Sequence, residues 1–295
     1  MLLRMLKDLF GGEKAVEARA ESANQIYHAA AVAYQAGDAT LALDYCRRLR
    51  RAAPAFQEVD MLEAQIRFGG EHYFQVLTRI MEAARPRSYV EIGVAAGDSL
   101  RLVKAPTVAI GIDPQPQLTA PLASNQKVFV ETSDAFFAGH DLRAELGGLP
   151  VDLAFIDGMH HFEFALRDFA NLERYCTPAS TILIHDCYPL DRETAERERK
   201  RSFWSGDIWR LILLLKKYRP DLTIHTIGTA PTGLALVRKL DPGSRVLLEH
   251  HDQLCREYLA LDYSHIEDDM AGKLNLFPND WERIRALLRS GAEPG

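Results

Sequence analysis

The 295-residue chain has no apolar run approaching the roughly 18 to 20 residues needed to cross a bilayer. Its richest stretch, Leu211 to Leu215, is closed by Lys216 and Lys217, so neither a membrane-spanning protein nor a membrane partner is expected. Cysteine is scarce. Cys46, Cys176, Cys187 and Cys255 lie far apart and form no CxxC pair, which speaks against both a disulfide scaffold and a thiolate zinc site. A secretory signal is missing too: Arg4, Lys7 and Asp8 interrupt the apolar residues of Met1 to Phe10, and a cytoplasmic protein is expected. Positive charge is also short, with 35 Lys and Arg against 41 Asp and Glu and a net charge of −6. That balance argues against nucleic acid as a partner, because backbone binding needs clustered cations that release counterions. The one dense basic stretch, Asp191 to Arg201, interleaves its signs to a net of only +1 and reads as a solvated helix.

Helical signals fill Glu21 to about Phe68, which is Ala-rich, has no β-branched run and is broken at Ala36-Gly37-Asp38 and at Pro54. The tight turn at Gly37, the small Ala42 where helices would cross, and Pro54 ending the second helix together resemble one tetratricopeptide repeat. A lone repeat cannot bury its own apolar face. Residues 1–68 are therefore expected to form a small helical domain that supports a homo-oligomer or docks a partner, or else to serve as a plain lid.

From Tyr89 the period changes. Short runs rich in Val and Ile, at Ser88 to Gly93, Val108 to Asp113, Lys127 to Glu131, Val151 to Asp157 and Thr181 to Asp186, alternate with helical or turn-forming stretches. Strands apolar on both faces belong in a sheet covered on both sides, so an α/β, doubly wound, Rossmann-like architecture follows. Phe162, Leu166, Phe169 and Leu172 give the stretch from His160 to Tyr175 one inward helical stripe. Two further strands, Leu222 to Thr226 and Gly233 to Arg238, are separated by too few residues for a crossover helix and should pair antiparallel. Helices are expected near Asp207 to Tyr218, Ser244 to Leu261 and Asn279 to Arg289.

In an open α/β sheet a ligand sits beyond the carboxyl ends of the strands. The first strand delivers Glu91-Ile92-Gly93-Val94-Ala95-Ala96-Gly97-Asp98-Ser99, a small-residue turn, and the second delivers Asp113, placed to grip a ribose diol. A dinucleotide site prefers G-x-G-x-x-G, yet Ala95 occupies the second glycine position, and Glu91 and Asp98 would repel a pyrophosphate. Carboxylates around such a turn suit a cationic ligand; S-adenosylmethionine, with its sulfonium and ammonium, is the common one.

Tyr89 to Gly97, then Gly111-Ile112-Asp113-Pro114, then Phe155-Ile156-Asp157-Gly158-Met159-His160, then His185-Asp186, resemble the class I S-adenosylmethionine-dependent methyltransferases, in particular the bacterial metal-dependent sugar and macrolide O-methyltransferases. The likeness spans about residues 70 to 240, and residues 69–295 are expected to be the methyltransferase domain. It implies that Glu91 and Gly93 hold the amino acid part of the cofactor, with Gly97 also in the cofactor site, that Asp113 accepts the ribose hydroxyls, and that Ser133 and Asp134 lie beside the adenine. It further implies a divalent ion, usually magnesium, on Asp157 and Asp186, with His160 as the general base. The chemistry is coherent, since an ion held by two carboxylates acidifies a bound hydroxyl and an imidazole can take the proton. Where the family often shows an acidic pair, this chain has His185-Asp186-Cys187, which makes His185 a metal ligand and admits manganese, iron, zinc or no metal.

O-methylation of a small-molecule acceptor, a sugar or secondary metabolite, is the leading expectation. A nicotinamide-dependent oxidoreductase and a non-catalytic interaction protein on the same fold are the alternatives, and loop-capping carboxylates are the plainer reading of Asp157 and Asp186. The acceptor is expected against Tyr188, Arg192, Phe203, Trp204, Asp207 and Trp209.

Overall fold

Alternation along each strand decides the layering. In β1 (Ser88–Ile92) Val90 and Ile92 face one apolar cluster while Tyr89 faces another, and β4 (Leu153–Ile156) repeats this with Ala154 and Ile156 against Leu153 and Phe155. A strand buried on both faces needs helices on both, which is what the computed structural model shows over residues 22–289, the residues it describes. Met1 to Phe10 lies outside them.

Helices α2 (Ala39–Ala52) and α3 (Glu58–Phe68) follow a helix α1 whose described part is 22–35, and with Arg201–Phe203 they form one compact unit. Its core is largely small side chains, Ala23, Ala30, Ala33 and Ala42 with Cys46, Leu49, Val59 and Ile66. The Asp38 side chain caps α2 by accepting from the Leu41 amide at 2.9 Å, and Gly69, at φ 63°, ends α3.

The second unit comprises, among the described residues, 70–200 and 204–289. After α4 (Tyr73–Ala84) and β1 come β2 (Val108–Ile112), β3 (Gln126–Phe129), α5 (Ser133–Gly139), α6 (Leu142–Glu145), β4, α7 (Phe162–Glu173) and β5 (Thr181–His185). Then follow α8 (Trp209–Tyr218), β6 (Thr223–Ile227), β7 (Leu234–Arg238), α9 (Val246–Glu249), α10 (His251–Leu259), α11 (Ser264–Glu267), α12 (Met270–Lys273), β8 (Leu276–Phe277) and α13 (Trp281–Arg289). The sheet order is β3-β2-β1-β4-β5-β7-β6-β8. The first five strands are mutually parallel, and β7 runs antiparallel to both β5 and β6. The order reverses between β1 and β4, which is where a doubly wound sheet opens a crevice.

Two elements depart from the sequence reading. β8, only two residues long, pairs parallel with β6 and has no strand signal of its own. Residues 191–201 are turns and bends instead of a solvated helix. Their charges are spent on distant partners: Arg192 on Asp262 and Glu267, Arg197 on Glu163 and Asp207.

Candidate active site

The turn after β1 is built around its neighbours. Gly93 has φ 90°, and a Cβ there would collide with the carbonyl oxygen of Asp157 at the end of β4. Glycine at 93 is therefore dictated by the approach of two strand ends, and the Asp157 amide closes that approach by donating to the Ile92 carbonyl at 2.9 Å. Gly97, at φ 80°, faces the Leu118 side chain. Asp113, partly exposed at the end of β2, ties the turn down: its carboxylate accepts from the Val94 and Ala95 amides at 2.8 Å and from the Gln115 amide at 2.7 Å.

Glu91 is not at the surface of this turn. It has no exposed area, and its two oxygens accept from the Tyr89 hydroxyl at 2.6 Å and the Ser99 hydroxyl at 2.7 Å. Burial pushes it up to about 8, the two hydroxyl bonds offsetting part of the rise, so at neutral pH it is largely uncharged. In this conformation both of its oxygens are engaged by those hydroxyls, and the side chain props the turn from beneath. Asp98, the other acidic residue of the turn, ion-pairs with Arg101. Ser133 and Asp134 open α5; Ser133 hydrogen-bonds the buried Asp168, which burial lifts to about 7, and Asp134 pairs with Arg167 at 2.8 Å.

The ends of β4 and β5 bring four ionisable groups together. His160 Nε2 lies 3.0 Å from Asp186 Oδ2 and 3.6 Å from Asp157 Oδ1. His185 Nδ1 lies 3.1 Å from Asp157 Oδ1 and 3.2 Å from Asp186 Oδ2. Asp186 Oδ1 accepts from the Thr232 hydroxyl at 2.5 Å. Two of these residues, His160 at φ 55° and Asp186 at φ 58°, adopt the left-handed region despite their side chains, a strain that the surrounding contacts must hold. Trp204 stacks on the His160 ring at 5.2 Å between centroids, and Tyr73 of α4 packs on His185 at 4.2 Å.

Electrostatics follow from this crowding. Burial works to lower His160, but Asp186 and Asp157 outweigh it and lift it to about 9. His185 is raised by the same balance, and Asp186, which burial alone would raise, is held well below the carboxylate range by the two imidazoles. The carboxylates that hold the proton on His160 are the groups a cation would neutralise, and with a cation between them the imidazole would be favoured in its neutral form.

Asp157, His160 and Asp186 each offer a ligand atom within 4.8 Å of the others, so the group fits a metal ion. Asp186 Oδ2 is buried and carries no well-aligned hydrogen bond, although both imidazoles lie within 3.2 Å of it. A bound cation would take the place of the imidazolium protons there. The set adds a nitrogen to two oxygens, which suits manganese, iron or zinc better than magnesium. His185, expected as a ligand, stands outside this trio and faces both carboxylates through Nδ1.

Sequence reading missed Tyr73 and Thr232 at this site. Neither carries a local signal, since each arrives from an element remote in sequence. The expected acceptor pocket is also revised: Asp207 has no exposed area and Trp209 only 1%, so both are interior.

Residues 90–187 match the family model described as a methyltransferase domain. Among solved structures, the chain is similar to the O-methyltransferase TomG from Streptomyces achromogenes, involved in tomaymycin synthesis and solved with SAM; identity is 17%, TM-score 0.44, and coverage 57% of this chain and 80% of that one. It is also similar to an O-methyltransferase from Bacillus cereus in complex with SAH, at 14% identity and TM-score 0.43, covering 57% of this chain and 80% of that one. No curated protein sequence matches the chain.

Proposed function

From the match of residues 90–187 to a methyltransferase-domain family model, we propose that the protein transfers the methyl group of S-adenosylmethionine to a hydroxyl oxygen of a small molecule, a sugar or secondary metabolite, with a divalent metal held by Asp157, His160 and Asp186. The observation that carries this reading is the convergence of those three side chains at two adjacent strand ends, beside the turn at Gly93. Manganese, iron or zinc there would acidify the acceptor hydroxyl and fix it for in-line attack on the methyl carbon.

The chain's own residues do the rest. Asp113, at the end of β2, would take the donor's ribose, and the Gly93 to Gly97 turn would allow close backbone approach to its amino acid part. Ser133 and Asp134 flank the adenine side. His160, neutral with a cation bound, would serve as a ligand through Nε2, and His185 orients both carboxylates through Nδ1. Trp204 offers the ring face away from His160 to a flat acceptor.

The reading is tested by titrating S-adenosylmethionine and NAD separately in a calorimeter, then screening hydroxylated acceptors with labelled donor, with and without chelator. Donor binding, methyl transfer and inhibition by chelator are expected. NAD binding without donor binding would instead establish the oxidoreductase, and donor binding without transfer to any acceptor the interaction protein. Homo-oligomerisation through the helical unit, where Val32, Leu41 and Met61 remain exposed, is tested by light scattering of the full chain.

A further inference from the structure

Residues 204–208, just ahead of α8, supply no ligand to the metal trio, yet they hold one member of that trio in place. Asp207 is wholly buried and reaches His160 by two routes. Its amide donates to the His160 carbonyl at 3.2 Å. Its Oδ1 accepts from the Phe162 amide at 2.7 Å and so fixes the first residue of α7, two positions after His160. The preceding residue, Gly206, has φ 62°, and a Cβ there would collide with the same His160 carbonyl oxygen. The loop backbone is thus pressed directly against the His160 peptide. Trp204 completes the contact by stacking on the ring.

A buried carboxylate must be compensated. Asp207 Oδ2 is met by Arg197 at 2.9 Å and Arg210 at 2.8 Å, and Arg197 also pairs with Glu163 at 2.7 Å in the first turn of α7. One oxygen therefore faces the His160 turn and the other the arginines. This division separates geometry, carried by Oδ1, from charge compensation, carried by Oδ2.

We propose that Gly206 and Asp207 are positioning residues for His160: they hold it in its left-handed conformation, with Nε2 aimed at the Asp157 and Asp186 carboxylates, by clamping its carbonyl and the start of α7. The inference rests on the functional reading above for its purpose, but the clamp can be read without turnover.

The experiment compares Asp207→Ala, Asp207→Asn and Gly206→Ala in the full chain, measuring melting temperature, Mn2+ affinity by electron paramagnetic resonance, donor affinity, and the His160 imidazole signal in 15N-edited NMR, assigned by its loss in His160→Gln. Asparagine keeps an acceptor for the Phe162 amide but loses the charge opposite the arginines, so its melting temperature falls while the His160 signal and Mn2+ affinity stay near those of the parent. Alanine loses both, and its Mn2+ affinity is expected to fall by about 10-fold or more with the imidazole signal shifted. Gly206→Ala, whose added methyl pushes on the His160 carbonyl, is expected to do the same and carries the test should Asp207→Ala not fold. Donor affinity is expected to be unchanged in all three. An unmoved imidazole signal in Asp207→Ala or Gly206→Ala would overturn the clamp, as would losses in Asp207→Asn equal to those in Asp207→Ala. If the parent itself binds no Mn2+ and transfers no methyl group, the functional reading fails, and the imidazole signal alone still decides the clamp.

Discussion

Glu91 and Gly93 show how single positions near a strand end divide their duties. Glu91 is raised to about 8 in the folded chain by burial, against an ordinary value of 4.5. The folded state therefore binds a proton that the unfolded state has released between those values. The associated stability is fully present below the unfolded value and is lost as pH rises through the folded one. Glu91→Gln mimics the neutral carboxyl, so its melting temperature should decline less than the parent's between pH 5 and pH 9, by the equivalent of a few kcal/mol on the order given by linkage. Donor affinity at pH 7 should be nearly unchanged, because the parent side chain is already largely uncharged there. A large loss of donor affinity in Glu91→Gln at neutral pH would restore a charged role for this residue. Gly93 is tested by stability alone. Alanine would bring a positive φ and a clash with the Asp157 backbone, and the combined cost should be roughly 3 kcal/mol or more in thermal or urea unfolding. Melting within a degree of the parent would show that the two strand ends can separate.

Among the elements, α7 is anchored at both ends by charges that no local window of sequence connects. At its start Asp207 takes the Phe162 amide across 45 residues of sequence. At its finish Glu173, 3% exposed, accepts from Arg219 at 2.5 Å and from the Asp241 amide at 3.1 Å, which ties α7 to the chain after α8 and to the chain after β7. Arg219 in turn pairs with Asp221 just before β6. Replacing Arg219 by Met strands a buried carboxylate, and the expected cost is about 3 to 5 kcal/mol. The double variant Glu173→Gln with Arg219→Met should recover much of that loss in a thermal double-mutant cycle; strict additivity would show that the pair is not coupled. These anchors also mark what the sequence could convey. The runs at β1, β2, β4, β5 and β7 were legible because they are apolar on both faces, and the short Gly228 to Gly233 link allowed only an antiparallel return of β7 on β6. Residues 191–201 misled because interleaved charge has the same appearance on a solvated helix and on a loop whose arginines reach Glu163, Asp207, Asp262 and Glu267. β8 was illegible because two residues carry no period.

For the whole molecule, the site lies where the reversal of strand order brings the ends of β1, β4 and β5 together in one unit with two covered faces. Asp113, Asp157 and Asp186 could be singled out in advance because each directly follows an apolar strand or closes one, and topology then assembles them. Thr232, Tyr73 and the Asp207 loop could not, since their contacts exist only after β7 has inserted beside β5 and α4 has packed on the sheet. A metal bound to this assembly stabilises only the folded state, in which the three ligands coincide. At a free Mn2+ concentration about 100 times its dissociation constant, the gain should be roughly 2.7 kcal/mol, enough to raise the melting midpoint by several degrees when read through buried Trp209. Chelator should return the midpoint to its starting value, and Asp157→Asn and Asp186→Asn should each abolish the rise. The carboxylates then have a separable signature: a structural pair of loop caps would lower the midpoint when replaced but would give no Mn2+ response in the parent, whereas a metal site gives the response and loses it with either carboxylate.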